Sequence, residues 1–149
     1  MNADLTITEM QSGFRSIMPL LPMGDESEEM IDCYINRGMV YTAVRNGATV
    51  AVCVVTEEPD GWVEIKNLAV VPHMRRKGIG HAMLAHVESQ FPDRKYRLGT
   101  GETPSTLRFY ESCGYRYAYR IADFFTDNYK HPIVEEGVRL KDMLYLTKT

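Results

Sequence analysis

Six successive residues, Arg75-Arg76-Lys77-Gly78-Ile79-Gly80, combine three cations with two glycines. Where a strand gives way to a helix, such a run is suited to holding a phosphate. The first turn of a helix carries backbone N–H groups with no intrahelical partner and the positive end of the dipole. Glycines let an anion approach that backbone closely. A packing reading also exists, in which Gly78 and Gly80 only let strand and helix meet tightly and the cations form a solvated surface. Strand, cations, glycines and helix in that order favour phosphate. Two nucleotide motifs do not fit: a dinucleotide fingerprint requires a third glycine where Met83 stands, and a Walker loop requires Lys then Ser or Thr where His81 and Ala82 stand.

Other reactive residue types are less well arranged. His73, His81, His86 and His131 lack metal-ligand spacing on one helical face, and no paired cysteines accompany them, so no metal is expected. Cys113 falls at a helix carboxyl end, where the dipole disfavours a thiolate, and reads as a packing residue.

The elements that must position these residues follow from periodicity and turn chemistry. Phe14, Ile17, Met18 and Leu21 suggest a first helix, interrupted by Pro19 and Pro22. A second is expected over Asp25 to Gly38, with Met30, Ile31, Tyr34 and Ile35 on one face, Asp25 and Glu28 spaced as a capping box, and Gly38 as the stop. Met39 to Arg45 and Thr49 to Thr56 flank Asn46-Gly47, a hairpin signal. Pro59-Asp60-Gly61 turns into a third strand, Trp62 to Val71, which Pro72 ends. Ile79, Met83, Val87 and Phe91 space a helix over Gly78 to Gln90. A strand near Tyr96 to Thr100 follows, then a helix with Thr103 as cap, Pro104 first and Gly114 as left-handed stop. Tyr115 to Phe125 and Asp142 to Thr147 read as strands. The order predicts an α/β (mixed α+β) fold over residues 1–149 as one domain, with a central mixed, mostly antiparallel sheet and about four flanking helices.

Length and composition agree: 149 residues at 44% hydrophobic content can bury one core without metal or disulfide support. A net charge of −3, with no long basic face, argues against nucleic-acid binding as the main role. Three scattered cysteines, Cys33, Cys53 and Cys113, suit a reducing compartment. Residues 1–11 lack the basic start and apolar stretch of an export signal, and Val50 to Val55 is too short an aliphatic run to span a bilayer. The expectation is a soluble cytoplasmic protein without a membrane partner, whose exposed carboxyl-terminal strand admits a homodimer.

Leu68-Ala69-Val70 followed by Arg75-x-x-Gly78-x-Gly80 resembles the coenzyme-binding signature of the GNAT superfamily of acetyl-CoA-dependent N-acetyltransferases. The likeness extends from about Met39 to Tyr115. It implies an acyl-CoA N-acyltransferase fold whose sheet splays at the strand near Leu68, with the pantetheine arm in the opening and the pyrophosphate on the backbone of Arg76, Lys77, Gly78, Ile79 and Gly80. It implies acetyl-CoA as acyl donor and an amine as acceptor. A second family feature, a helix with a tyrosine near the coenzyme sulfur followed by a Gly-aromatic pair, is matched by Tyr110, Gly114 and Tyr115. Where many relatives have an asparagine on the pantetheine, this sequence has Thr103, which offers a hydroxyl without the two-ended pairing of an amide.

Amine attack on a thioester requires a base, an oxyanion donor and a proton for the departing thiolate. A splayed strand leaves the N–H of Leu68 or its neighbour aimed at the acetyl carbonyl. Tyr110, a phenol of ordinary pKa about 10, suits a thiolate whose conjugate acid lies near about 8.5. It also shares an apolar helical face with Leu107 and Cys113, the alternative being a core ring. Strand alternation places Glu64, Lys66, Leu68 and Val70 on one side, so Glu64 is the candidate base, acting through water once burial raises its pKa. A carboxylate paired with Lys66 is the other reading. Acceptor specificity is expected from the amino-terminal helices and from Asp123 to Val138, where Phe124, Phe125, Tyr129, His131, Glu135 and Glu136 suit a cationic amine. A non-catalytic acyl-CoA sensor or protein-interaction module would show the same coenzyme signature.

Overall fold

In the computed structural model, which describes residues 5–10, 14–25 and 28–149, the chain opens on a strand that periodicity did not announce, β1 (Thr6–Met10). Phe14–Ile17 makes one 3₁₀ turn. Two short helices follow, α1 (Leu21–Gly24) and α2 (Glu28–Tyr34), with Pro22 in the first turn of α1, where a missing N–H costs nothing. The expected capping pair of Asp25 with Glu28 lies outside the described residues, which lack 26–27 and the Glu28 side chain. Asn46 and Gly47 take φ of 52° and 77° and turn β2 (Met39–Arg45) directly into β3 (Ala48–Glu57), as the Asn-Gly pair requires. Gly61, at φ 90°, delivers the chain into β4 (Val63–Val70). Helix α3 (Ile79–Gln90) completes the first of two compact units, Met1–Arg94.

Within that unit the strands run β1-β2-β3-β4, each antiparallel to the next. Every residue of β3 from Val50 to Thr56 is buried, so both faces of this aliphatic strand are covered. One face carries Val40, Val52, Val54 and Ala69 against Ile17, Leu21, Ile31, Tyr34 and Ile35 from the amino-terminal helices. The other meets α3, whose buried side is Ile79, Met83, Leu84 and Val87. There Tyr41 takes the ring of His86 edge-on at 5.7 Å. Burial pushes the Cys53 thiol up to about 12, so it behaves as a small apolar residue.

The alternation expected along β4 is broken by a bulge. Val54 pairs with Asn67 and Val55 with Ile65, leaving Lys66 as the extra residue. Glu64, opposite Thr56, therefore shares the face of Asn67 and Ala69, while Leu68, opposite Cys53, lies on the other. Glu64 and Leu68 do not point the same way, because one inserted residue inverts the phase of a period-two strand.

The second unit, Lys95–Thr149, contains β5 (Tyr96–Gly101), α4 (Pro104–Ser112), β6 (Arg116–Ile121), α5 (Phe124–Asn128), the two-residue strands β7 (Val134–Glu135) and β8 (Val138–Arg139), and β9 (Met143–Lys148). β9 lies between β5 and β6 and is antiparallel to both, so the carboxyl-terminal strand is not the exposed edge expected, because each of its sides already has a strand partner. Gly114 takes φ 95° and stops α4, and Lys148 Nζ donates to the Cys113 carbonyl at 2.8 Å, placing a cation at the negative helix end. The expected strand from Tyr115 to Phe125 ends at Ile121. Asp123 turns at φ 55°, and Phe124 and Phe125 begin α5, whose ring cluster with Tyr129 buries Phe125. Arg120 joins Asp142 (3.0 Å) and Glu102 (3.4 Å). The Asp123 backbone N–H, then Arg120, hold the Asp142 carboxyl below its usual value. No helix among the described residues is long and apolar enough to cross a membrane.

The second helix stops at Tyr34 rather than at Gly38 as expected, and Gly38, between the following turn and β2, is required for space rather than for handedness. A Cβ there would lie 2.8 Å from Val54 Cγ1 and 3.0 Å from the Val55 carbonyl oxygen. Gly38→Ala is expected to cost about 1–3 kcal/mol in urea unfolding.

Candidate functional site

The loop between β4 and α3 is built to end a strand and present a helix start. Pro72 supplies no N–H and begins the 3₁₀ turn Pro72–Met74. Met74 N then donates to the Val71 carbonyl at 2.9 Å, and Arg75 Nε to the Val70 carbonyl at 3.0 Å. Arg75 thus spends part of its guanidinium on the strand end and anchors the loop.

The next residues curl. Arg76 takes φ 62° and Gly78 φ 80°, two left-handed positions within three residues. Such reversals turn successive amides toward one concavity, the geometry of an anion nest. A left-handed non-glycine residue costs about 1–3 kcal/mol, which is why Arg76 invites a functional explanation. Gly78 is the residue before α3, and Ala82 N donates to its carbonyl at 3.0 Å, closing the first turn. The leading amides of α3, at Ile79 and Gly80, then face outward from the helix start. Ile79 is 1% exposed and pins this turn to the core, while the Arg75, Arg76 and Lys77 side chains are exposed. The structure thus brings together Leu68, Ala69, Val70, Arg75, Arg76, Lys77, Gly78, Ile79 and Gly80 as one strand-loop-helix passage.

Glu64 is only 4% exposed, and its carboxylate takes Lys66 Nζ at 2.8 Å. The pairing with Lys66 is formed, with the carboxylate buried on the face covered by the amino-terminal helices and the ammonium half-buried.

In the second unit, Thr103 and Tyr110 both belong to the α4 passage. Thr103 occupies the cap position, yet its side chain makes no capping bond; it is fully buried, and Oγ1 has no hydrogen-bond partner. The expected capping role is therefore not what Thr103 does. A buried hydroxyl without a partner costs about 1–3 kcal/mol, which favours a use for it. Tyr110 is half-buried, with its ring edge-on to Phe109 at 5.1 Å and to Tyr115 at 6.2 Å. The acidic residues expected at an acceptor pocket divide: Glu136 accepts a hydrogen bond from Ser105, and Glu135 and His131 are exposed. Among the described residues, no group of three His, Cys, Asp or Glu is placed to hold a metal ion.

Periodicity overlooked Asn67, a 2% exposed carboxamide inside β4. The available signal was a lone amide in the otherwise apolar series Ile65, Asn67, Ala69.

Comparison with known proteins gives the same picture. The family model described as an acetyltransferase (GNAT) domain matches residues 36–117. The uncharacterised N-acetyltransferase YvbK of Bacillus subtilis (strain 168) is 30% identical over 131 residues, 85% of this chain and 84% of that protein. A crystal structure of a GNAT family acetyltransferase from Elizabethkingia anophelis with acetyl-CoA bound is 32% identical, covers 98% of each chain and superposes with a TM-score of 0.92. A Bacillus subtilis acetyltransferase in complex with CoA is 28% identical, covers 97% of each chain and has a TM-score of 0.87.

Two substitutions probe this geometry. Gly78→Val puts a β-branched side chain at positive φ and is expected to weaken acetyl-CoA binding by about tenfold or more in calorimetry, with the helical content of α3 retained in circular dichroism. Thr103→Val, which keeps the shape and removes the unpaired hydroxyl, is expected to weaken acetyl-CoA about two- to tenfold without lowering Tm.

Proposed function

Since the chain belongs to the GNAT family of acetyl-CoA-dependent acetyltransferases, we propose that residues 1–149 act as one N-acetyltransferase domain that passes the acetyl group directly from acetyl-CoA to a primary amine of a small molecule or peptide. The observation that carries this reading is the left-handed pair Arg76 and Gly78 immediately before α3. It is a backbone arrangement with a stated cost and an evident use, the binding of a diphosphate. Relatives that carry acetyl-CoA or CoA over the same fold support it.

The chemistry is assigned as follows. The coenzyme pyrophosphate sits on the amides of Arg76 to Gly80, with Arg75, Arg76 and Lys77 adding positive potential. The pantetheine is assigned to Leu68, Ala69 and Val70, and the Thr103 hydroxyl is proposed as a further coenzyme contact. The N–H of Leu68 stabilises the carbonyl oxygen as it becomes negative. A peptide N–H lies in the plane of the sheet, so this role survives the inversion of side-chain faces by the bulge. The acceptor arrives as an ammonium of ordinary pKa about 10.4 and must lose a proton to become a nucleophile. Glu64 takes that proton through water. The nitrogen lone pair then forms the C–N bond, the C–S bond breaks, Tyr110 gives its proton to the departing thiolate, and the phenolate takes back the proton that the new amide nitrogen sheds.

The test is release of free thiol from acetyl-CoA in the presence of a polyamine, an arylalkylamine and a peptide amino terminus. Thiol release dependent on one of them is expected. Tyr110→Phe is expected to lower kcat by about tenfold to a hundredfold while acetyl-CoA affinity stays within about twofold. Equal turnover in that variant would remove the phenol from the mechanism. Glu64→Gln is expected to lower kcat about tenfold; unchanged turnover in that variant would shift the base role elsewhere.

A further inference from the structure

Asn67 has a bonding pattern that neither packing nor the reaction steps above explain. It stands on β4 immediately before Leu68 and is 2% exposed. Its Nδ2 donates to the Leu21 carbonyl at 2.9 Å and to the Tyr34 hydroxyl at 3.0 Å. The Tyr34 hydroxyl donates onward to Asp25 Oδ2 at 3.2 Å. The direction of this chain is fixed, because an amide nitrogen cannot accept and a carboxylate cannot donate. It runs from the strand, through α2, to the residue that ends α1.

The other half of the carboxamide is left without a partner: Oδ1 is buried and accepts no hydrogen bond. It faces Gly24, where a Cβ would lie 2.2 Å from Oδ1 and 3.0 Å from the carbonyl oxygen of Leu68. The end of α1 is therefore seated on β4 at the Leu68 peptide, with no room for a methyl group. An apolar residue of this size at position 67 would fill the space beside Val54 and Ala69 without an orphan oxygen. The amide is arranged for holding. The Leu21 carbonyl already accepts from Asp25 N at 3.1 Å, so Nδ2 is its second donor, and both ends of α1 are tied to one point. Burial pushes the Tyr34 hydroxyl well above its usual pKa; the bond from Asn67 lowers it, and Asp25 raises it further. The phenol keeps its proton, and the chain of donors stays intact through the working range of pH.

We infer that Asn67 is a positioning residue for acetyl transfer. It clamps Gly24 and, through Tyr34, Asp25 against β4, and thereby fixes the Leu68 peptide relative to the face from which the acceptor amine approaches. This rests on the proposed roles of Leu68 and of direct attack.

The experiment combines kinetics with a thermodynamic cycle. Asn67→Asp, which keeps the size but loses both donated bonds, and Tyr34→Phe, which removes only the phenol, are assayed with phenethylamine, spermidine and a short peptide bearing a free amino terminus. Asn67→Asp is expected to raise the KM of the accepted amine and lower kcat/KM by about tenfold or more, with acetyl-CoA Kd within about twofold of the native value. Tyr34→Phe is expected to lower kcat/KM by a smaller factor in the same pattern. A loss of coenzyme affinity in step with turnover, or folded variants with native amine kinetics, overturns the positioning role. The clamp itself is read separately from Tm. Gly24→Ala and Asn67→Ala should be non-additive, since removing the carboxamide removes what the new methyl strikes; additive losses overturn the clamp. Failure of the native chain to acetylate any of the three amines sinks the direct-attack reading, and the positioning role with it, leaving the clamp to be decided by the cycle.

Discussion

Amide N–H groups that a helix cannot use for itself are the constraint around which the unit Met1–Arg94 is arranged. To be of use to a diphosphate, the leading amides of α3 must be open, convergent and still. Openness comes from ending β4 at Pro72. Convergence comes from the left-handed turns at Arg76 and Gly78. Stillness comes from Ile79, Met83, Leu84 and Val87, which bury one side of the helix against the sheet, and from Arg75, whose guanidinium holds the Val70 carbonyl. The strained conformation of Arg76 is tolerable because the residues on either side are tied down on both the strand and the helix.

The parts of this arrangement that depend on neighbours in sequence were legible there. Asn46-Gly47 specifies a tight hairpin through the φ values its residues accept, and Pro72, Gly78 and Gly114 each mark a boundary found within a residue of where it was expected. What escaped was set by partners far along the chain or by a weak local signal. β1 shows only partial burial along its length, so no strong apolar alternation announces it. The turn joining β7 to β8 has the same paired positive φ as Asn46-Gly47, but its first residue is Glu136 (φ 53°), which lacks the side-chain preference that makes Asn recognisable. The Lys66 bulge is visible only in the register of β4 against β3. Of the site, the proposed phosphate loop could be picked out in sequence because its residues are consecutive, whereas the Asn67 carboxamide draws its meaning from Leu21, Gly24 and Tyr34, more than thirty residues away in sequence.

The bulge also divides the labour of β4. Without it, Glu64 and Leu68 would share a face; with it, the carboxylate joins Asn67 on the face held by the amino-terminal helices, while Leu68 and Ile65 belong to the α3 face. One strand thus offers polar groups on one side and apolar packing on the other, with its peptide groups between. That a buried Glu64 is accompanied by Lys66, the inserted residue itself, follows from the same device: the extra residue supplies the cation that lets the acid be buried.

A comparable irregularity lies in the second unit. β6 is exposed along its whole length and carries Tyr117, Tyr119 and Ile121 outward, the kind of ribbon end that invites fibril growth. Its register against β9 slips between Tyr117 and Tyr119, leaving Ala118 out of step. A bulge of this kind breaks the even ladder that an added strand needs for pairing, one of the ways in which exposed strands are kept from adding copies of themselves.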